Sequence, residues 1–78
     1  MAARKGTLQL LGEEIRSRRL ACGLSQDVLA AKAGLHRNFI GLIERGQKNS
    51  TILTLEAITG VLKVTMTEII GAVERRQK

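Results

Sequence analysis

Residues 23–46 read GLSQDVLAAKAGLHRNFIGLIERG. Gly23, Gly34 and Gly46 divide this stretch into two short segments, and each has a helical pattern. The first is expected to start at Ser25, whose hydroxyl can accept from an otherwise unpaired backbone N–H. Asp27 falls in its first turn, where a negative charge suits the helix dipole. Leu29, Ala30 and Ala33 give it a small inner face, and Gly34 stops it. The second covers roughly residues 36–45. Ile40, Ile43 and Phe39 are expected to point inward, with Arg37, Asn38, Gly41 and Leu42 on or near the outward side. Gly46 ends the segment, and the loop Gln47-Lys48-Asn49 follows.

Working outward, a helix is expected before this stretch, over residues 7–21. Leu8, Leu11, Ile15 and Cys22 follow one another at spacings of three, four and seven, which is one helical face. Cys22 is therefore read as a small core residue, as buried free cysteines usually are. Arg19 sits on the same stripe, and a charge there needs a partner or must snorkel. Arg16 and Arg18 are read as solvated faces. After the loop, a fourth helix starts near Ser50 or Thr51 and runs to about Leu62, with Ile52, Leu55, Ile58 and Leu62 carrying its period. A fifth starts at Thr65, where Thr65 and Glu68 have the T-x-x-E spacing of a capping box. Ile69, Ile70 and Val73 continue it. The tails, residues 1–6 and 74–78, are expected to fray. Little of the chain alternates with period two, so the fold class is all-α, one domain over residues 1–78.

Composition removes several classes of function. One Cys cannot form an internal disulfide, and one Cys with one His cannot provide the four ligands of structural zinc. No metal or cofactor is expected. No apolar run approaches the roughly 18 residues of a membrane span. The N-terminal apolar stretch is short and runs into Glu13 and Glu14, which makes a poor signal peptide. The expected location is cytoplasmic, with no membrane partner. A nucleophile–base pair would have to join His36 to Ser17, Ser25, Ser50 or Cys22, and no glycine loop followed by Lys and Ser or Thr is present to cradle phosphate. The chain is therefore not expected to be an enzyme.

Thirteen Lys and Arg against seven Asp and Glu leave a formal charge of +6, which calls for an anionic partner. Phe39 is the one aromatic residue. Single-strand binders and common RNA modules stack bases on aromatic platforms, which one Phe cannot build. Duplex DNA fits better. The charge is also uneven: residues 1–50 carry a balance of +5 and residues 51–78 a balance of +1.

Two short helices joined by a glycine turn make a helix-turn-helix, and Ala30, Ala33 and Gly34 allow the close approach it needs. The combination GLSQ…LA…AG…I…IERG…TL, within about residues 11–70, resembles the Cro/C1-type (XRE) helix-turn-helix family. Within it, Leu35-His36-Arg37-Asn38-Phe39-Ile40-Gly41-Leu42-Ile43-Glu44-Arg45-Gly46 is similar to the recognition-helix pattern of restriction–modification controller proteins. The resemblance implies a compact five-helix, lambda-repressor-like DNA-binding domain. It implies that Arg37 and Asn38 enter the major groove, with Gly41 or Leu42 one turn later, so that Arg37, Asn38 and Leu42 are the base readers. Arg suits guanine and Asn adenine. By the same resemblance Gln26 contacts phosphate and props the recognition helix. Gln47, Lys48, Asn49 and Ser50 grip the DNA backbone, and Arg19 pairs with Glu44. The chain departs from the pattern at three positions. His36 stands where Ser, Thr or Asp commonly caps the recognition helix, so that start is looser or His36 itself touches phosphate. Val28 stands where a capping-box Glu is common. Gly41 removes one direct reader and shifts specificity toward Arg37, Asn38 and DNA shape.

Family members bind as two-fold dimers to half-sites about 34–36 Å apart. The last two helices carry more apolar residues than one small core can bury, and Leu53, Val61, Val64, Met66, Ile69 and Ile70 are the candidates for an isologous homodimer interface. The expected function is a sequence-specific, double-stranded-DNA-binding transcriptional regulator. As a controller protein it would bind a palindromic operator and recruit or block RNA polymerase at its own operon. A phage or mobile-element repressor, an antitoxin that autoregulates, and a protein-interaction module that keeps the fold without binding DNA are the alternatives. No small-molecule ligand is expected.

Overall fold

The structure, a computed structural model, describes residues 6–77. The fraying expected for residues 1–5 lies outside that range. Five helices are present: α1 (Thr7–Ala21), α2 (Gln26–Ala33), α3 (Arg37–Glu44), α4 (Ile52–Leu62) and α5 (Met66–Arg76). No strand occurs among the described residues. None of these helices is long and apolar enough to cross a membrane.

Four of the five helices start on a side chain that satisfies a free backbone N–H. Ser25 Oγ accepts from Val28 N at 3.1 Å, and Thr51 Oγ1 accepts from Thr54 N at 3.1 Å. Thr65 and Glu68 complete the reciprocal capping box: Glu68 N donates to Thr65 Oγ1 at 3.0 Å, and Thr65 N donates to Glu68 Oε1 at 3.2 Å. His36, expected to cap poorly, does cap α3, because its Nδ1 accepts from Asn38 N at 3.1 Å. The reason is geometric. Nδ1 sits as many bonds from Cα as the carboxyl oxygen of Asp does, so imidazole can imitate an Asp or Asn cap.

α2 ends in a Schellman closure, with Gly34 N donating to Ala31 O and Leu35 N to Ala30 O. Gly46 ends α3 at φ +73°, and a Cβ there would lie 2.7 Å from Gln9 Cα, so this position needs glycine for two separate reasons. Gly12, inside α1, meets a different demand. A methyl group at Gly12 would collide with the carbonyls of Ile43 and Glu44, so its absence lets α1 lie directly on the end of α3.

α1 packs against α3 and α5, α2 packs against α3 and α4, and α4 touches α5. Ile15, Leu29, Ile40, Ile43, Ile58 and Ile69 are the large side chains fully enclosed between them. Each contributes about 1.5–3 kcal/mol through burial. Three expectations about this core are corrected. Cys22 is exposed, since the buried stripe of α1 ends at Arg19 and Cys22 already belongs to the turn; its thiol donates to Leu62 O at 3.7 Å. Ile52 begins α4 beyond the edge of the core and is exposed, so the buried face is Leu55, Ile58, Thr59 and Leu62. Arg18 is not simply solvated: its Nε donates to Glu14 Oε2 at 2.7 Å.

In the stretch expected to fray from Glu74, α5 continues through Arg76, and Lys78 lies outside the described residues. Arg76 Nε donates to Glu14 Oε1 at 3.0 Å, and Gln77 Nε2 donates to Thr7 Oγ1 at 2.8 Å. These bonds tie the end of α5 to α1. Burial alone would raise the Glu14 carboxyl, but the hydrogen bonds and charges of Arg18 and Arg76 outweigh it and hold the group below its ordinary range.

Candidate nucleic-acid interface

α2, the Gly34 turn and α3 form the helix-turn-helix, and a buried polar network fixes its geometry from behind. Arg19 Nε donates to Glu44 Oε2 at 2.7 Å and Arg19 Nη2 to Glu44 Oε1 at 3.0 Å, a two-pronged pair. The third nitrogen, Nη1, donates to Leu24 O at 2.8 Å, at the entry to α2. Side-chain exposure is 8% for Arg19 and 2% for Glu44, so water scarcely screens the pair. The Glu44 hydrogen bond raises the guanidinium pKa further, and Arg19 stays charged although buried.

Gln26 joins the same network, with Nε2 donating to Glu44 Oε1 at 3.0 Å. A carboxylate only accepts, so this bond decides which way the amide is turned. Gln26 Oε1 therefore points away from Glu44, toward the surface over Gly41, 3.7 Å from where a Cβ would stand on that glycine. The second Nε2 hydrogen is left for another acceptor. α1, α2 and α3 thus meet on one carboxylate, and the outward side chains of α3 rest on a preset base.

That outward face holds Gln26, Arg37, Asn38, Gly41, Leu42 and Arg45 around a shallow cleft of about 340 Å³. Arg37 is largely exposed, and its Nε lies 3.1 Å from Asp27 Oδ1, itself exposed; solvent makes such a pair weak. Asn38 is exposed and Leu42 half-buried. His36 is exposed at the entry of α3. Because its Nδ1 accepts, the neutral ring carries its proton on Nε2, which is free to donate outward.

The loop after α3 is more ordered by side chains than the sequence suggested. Gln47 Oε1 accepts from Arg45 Nε at 3.2 Å. Lys48 Nζ stands 5.6 Å from the centre of the Phe39 ring, within cation–π range. Ser50 Oγ donates to Thr51 O at 3.1 Å, while Asn49 is exposed. Two members of this constellation were missed by sequence reasoning: Arg45, and Asp27 as a partner of Arg37. The available signal for Arg45 was its spacing, four residues after Gly41 and eight after Arg37, which is the same side of a helix.

The six interface candidates separate. Ile69 is withdrawn, because it is completely buried in the core of its own chain together with Ala72 and Val73; the adjoining Ile70 is rotated outward and is 43% exposed. Leu53 is 75% exposed in the first turn of α4. Met66 is half-buried and, with Ile52, Leu55, Thr67, Ile70 and Gly71, lines an apolar groove of about 380 Å³. Val61 and Val64 are half-buried against the core, and Val61 lies by a different groove, beside Cys22, Leu24, Lys32 and Lys63.

A helix-turn-helix family model, HTH_3, matches residues 15–69. The chain is similar to control protein C.SmaI of Serratia marcescens, 37% identical over 62 residues, covering 80% of this chain and 74% of that protein. It is similar in structure to the restriction–modification controller protein C.AhdI from Aeromonas hydrophila, with a TM-score of 0.78 and 35% identity over 80% of this chain and 94% of that one. It is also similar to the controller protein C.Esp1396I, seen as a tetramer in complex with its natural 35-base-pair operator, with a TM-score of 0.82 and 32% identity over 94% of this chain and 96% of that one.

Proposed function

This chain belongs to the HTH_3, Cro/C1-type helix-turn-helix family and is a DNA-binding transcriptional regulator, and we propose that it acts as the controller protein of a restriction–modification system. One observation carries the reading of its face: the exposed cleft of α3 rests on the buried Arg19–Glu44 pair, to which Gln26 is bonded, so the helix that carries its readers is held in position before DNA arrives. The similarity to controller proteins supports the role.

Arg37 exchanges its weak pairing with Asp27 for a guanine edge, Asn38 reads adenine, and Leu42 offers apolar contact to a thymine methyl. Gln26 gives phosphate its second amide hydrogen, and His36 gives Nε2–H. Gln47, Lys48 and Asn49 follow the DNA backbone; Ser50 joins them by releasing its bond to Thr51 O. Two copies join through the exposed apolar side chains of α4 and α5, Leu53, Met66 and Ile70 foremost, and set their α3 helices in successive major grooves. Operator position then decides whether RNA polymerase, in the cytoplasm, is recruited or blocked.

Selection of bound duplexes from a random library tests this directly. The expected result is a palindromic consensus with half-sites about one helical turn apart. Absence of any enriched sequence would refute specific DNA binding, and a consensus without two-fold symmetry would refute the dimer.

A further inference from the structure

Gly41 leaves a gap in the outward face of α3, and Arg45 fills it. Side chains on a helix lean toward its N-terminus, over the preceding turn. Arg45, the residue that caps the end of α3, follows this rule: its Nη1 would stand 3.2 Å from a Cβ at Gly41. Gly41 is thus the seat over which the Arg45 guanidinium lies. Gln47 Oε1 holds the inner nitrogen, Nε, of that guanidinium at 3.2 Å. The two terminal nitrogens have no hydrogen-bond partner among the described residues. Nor does any carboxylate among them neutralise Arg45, since its neighbour Glu44 is engaged by Arg19 and Gln26. Arg19, Arg18, Arg37 and Arg76 each face a carboxylate instead.

We propose that Arg45 is a second base reader, which presents its terminal N–H pair to a guanine edge in the major groove from the space that Gly41 leaves open. This rests on the assignment of the α3 cleft as the DNA-facing surface. A guanidinium held at Nε and free at both terminal nitrogens offers the end-on, two-donor pattern that matches guanine O6 and N7. Gln47, on the same account, is a positioning residue for Arg45. The guanidinium lies over position 41, four residues from Arg37, about 6 Å along the helix. The base pair it reads is therefore within about two steps of the one read by Arg37, at about 3.4 Å per step.

The test is library selection and salt-dependent affinity on the full chain for Arg45→Ala, Arg45→Lys, Gly41→Ala and Arg37→Ala. Arg45→Ala and Arg45→Lys are both expected to lose discrimination at one base pair by roughly five- to hundredfold, because Lys lacks the planar fork. Gly41→Ala is expected to loosen the same position without loss of thermal stability, since the added methyl meets only the far end of a flexible side chain. Arg37→Ala loosens a different position. A uniform loss of affinity in Arg45→Ala with a flatter salt slope, restored by Arg45→Lys, would make Arg45 a phosphate anchor and overturn the proposal. Unchanged base preference in Arg45→Ala beside an altered one in Arg37→Ala overturns it while keeping the DNA-facing surface. No change in either variant overturns the surface assignment as well.

Discussion

The two halves of this small domain treat polar and apolar side chains in opposite ways. The half built on α2 and α3 seals one ion pair and leaves its other charges in solvent: Arg19 of α1 and Gln26 both donate to Glu44, while Arg37, Asn38 and Arg45 stand exposed on the outer face of α3. The α4–α5 half buries aliphatics and still leaves aliphatics over, with Ile52 and Ile70 exposed along an apolar groove and Leu53 exposed in the first turn of α4. Position is set in the first half by directional bonds, which hold a few atoms in one geometry. The second half offers nondirectional apolar area, which suits a partner that covers surface. The difference teaches that the surface proposed to read DNA and the surface proposed to associate can share one core, because each would draw on a different force.

The largest test of that contrast is Glu44→Gln. Removing the charge leaves the Arg19 guanidinium buried and uncompensated, which costs about 3–5 kcal/mol. Urea unfolding should show this loss; a change under 1 kcal/mol, as exposed pairs give, would mean the network does not organise the first half. Ile70→Glu probes the other half. The charge sits on the exposed face of α5, so the chain should keep its fold by circular dichroism and sediment as a monomer at concentrations where the parent is a dimer. A parent that is itself monomeric at tens of micromolar would remove the associating surface from the comparison.

Lys48→Ala should act more weakly, lowering affinity for all duplexes alike and flattening the slope of log K against log salt by about one unit. A changed base preference in this variant would contradict its backbone role. The smallest effect concerns acid. Glu14 has a folded pKa below its unfolded value, so its pairing with Arg18 and Arg76 contributes stability above the ordinary carboxylate range and loses it as pH falls through the folded value. Thermal melts of Glu14→Gln should therefore show a shallower loss toward low pH than the parent. Parallel curves would mean that the end of α5 is held to α1 by other contacts.

Much of the fold was legible because it is written in short-range chemistry. Ser25, Thr65 and Glu68 announced helix starts, and Gly34 and Gly46 announced helix ends, since caps and left-handed turns depend on residues a few positions apart. The outward face of α3 was legible for the same reason, apart from Arg45. Its neighbour Gly41 looked like a lost reader, when it is the seat of one proposed here. The two misread core residues fall where a periodic stripe runs past the edge of the core. Cys22 and Ile52 each continue a buried pattern by one turn more than the neighbouring helices extend.

Helix count, helix order and the helix-turn-helix were therefore properties of the chain read alone, because local hydrogen bonding and periodicity specify them. Only the packed structure decided which apolar residues remain outside. Ile69 and Ile70 are adjacent and chemically identical, yet one is sealed in the core and the other is exposed, because α5 docks with a single side against its neighbours. The same holds for Arg76, which meets Glu14 across 62 residues of sequence. Such contacts come from closing the chain on itself, and no local pattern encodes them.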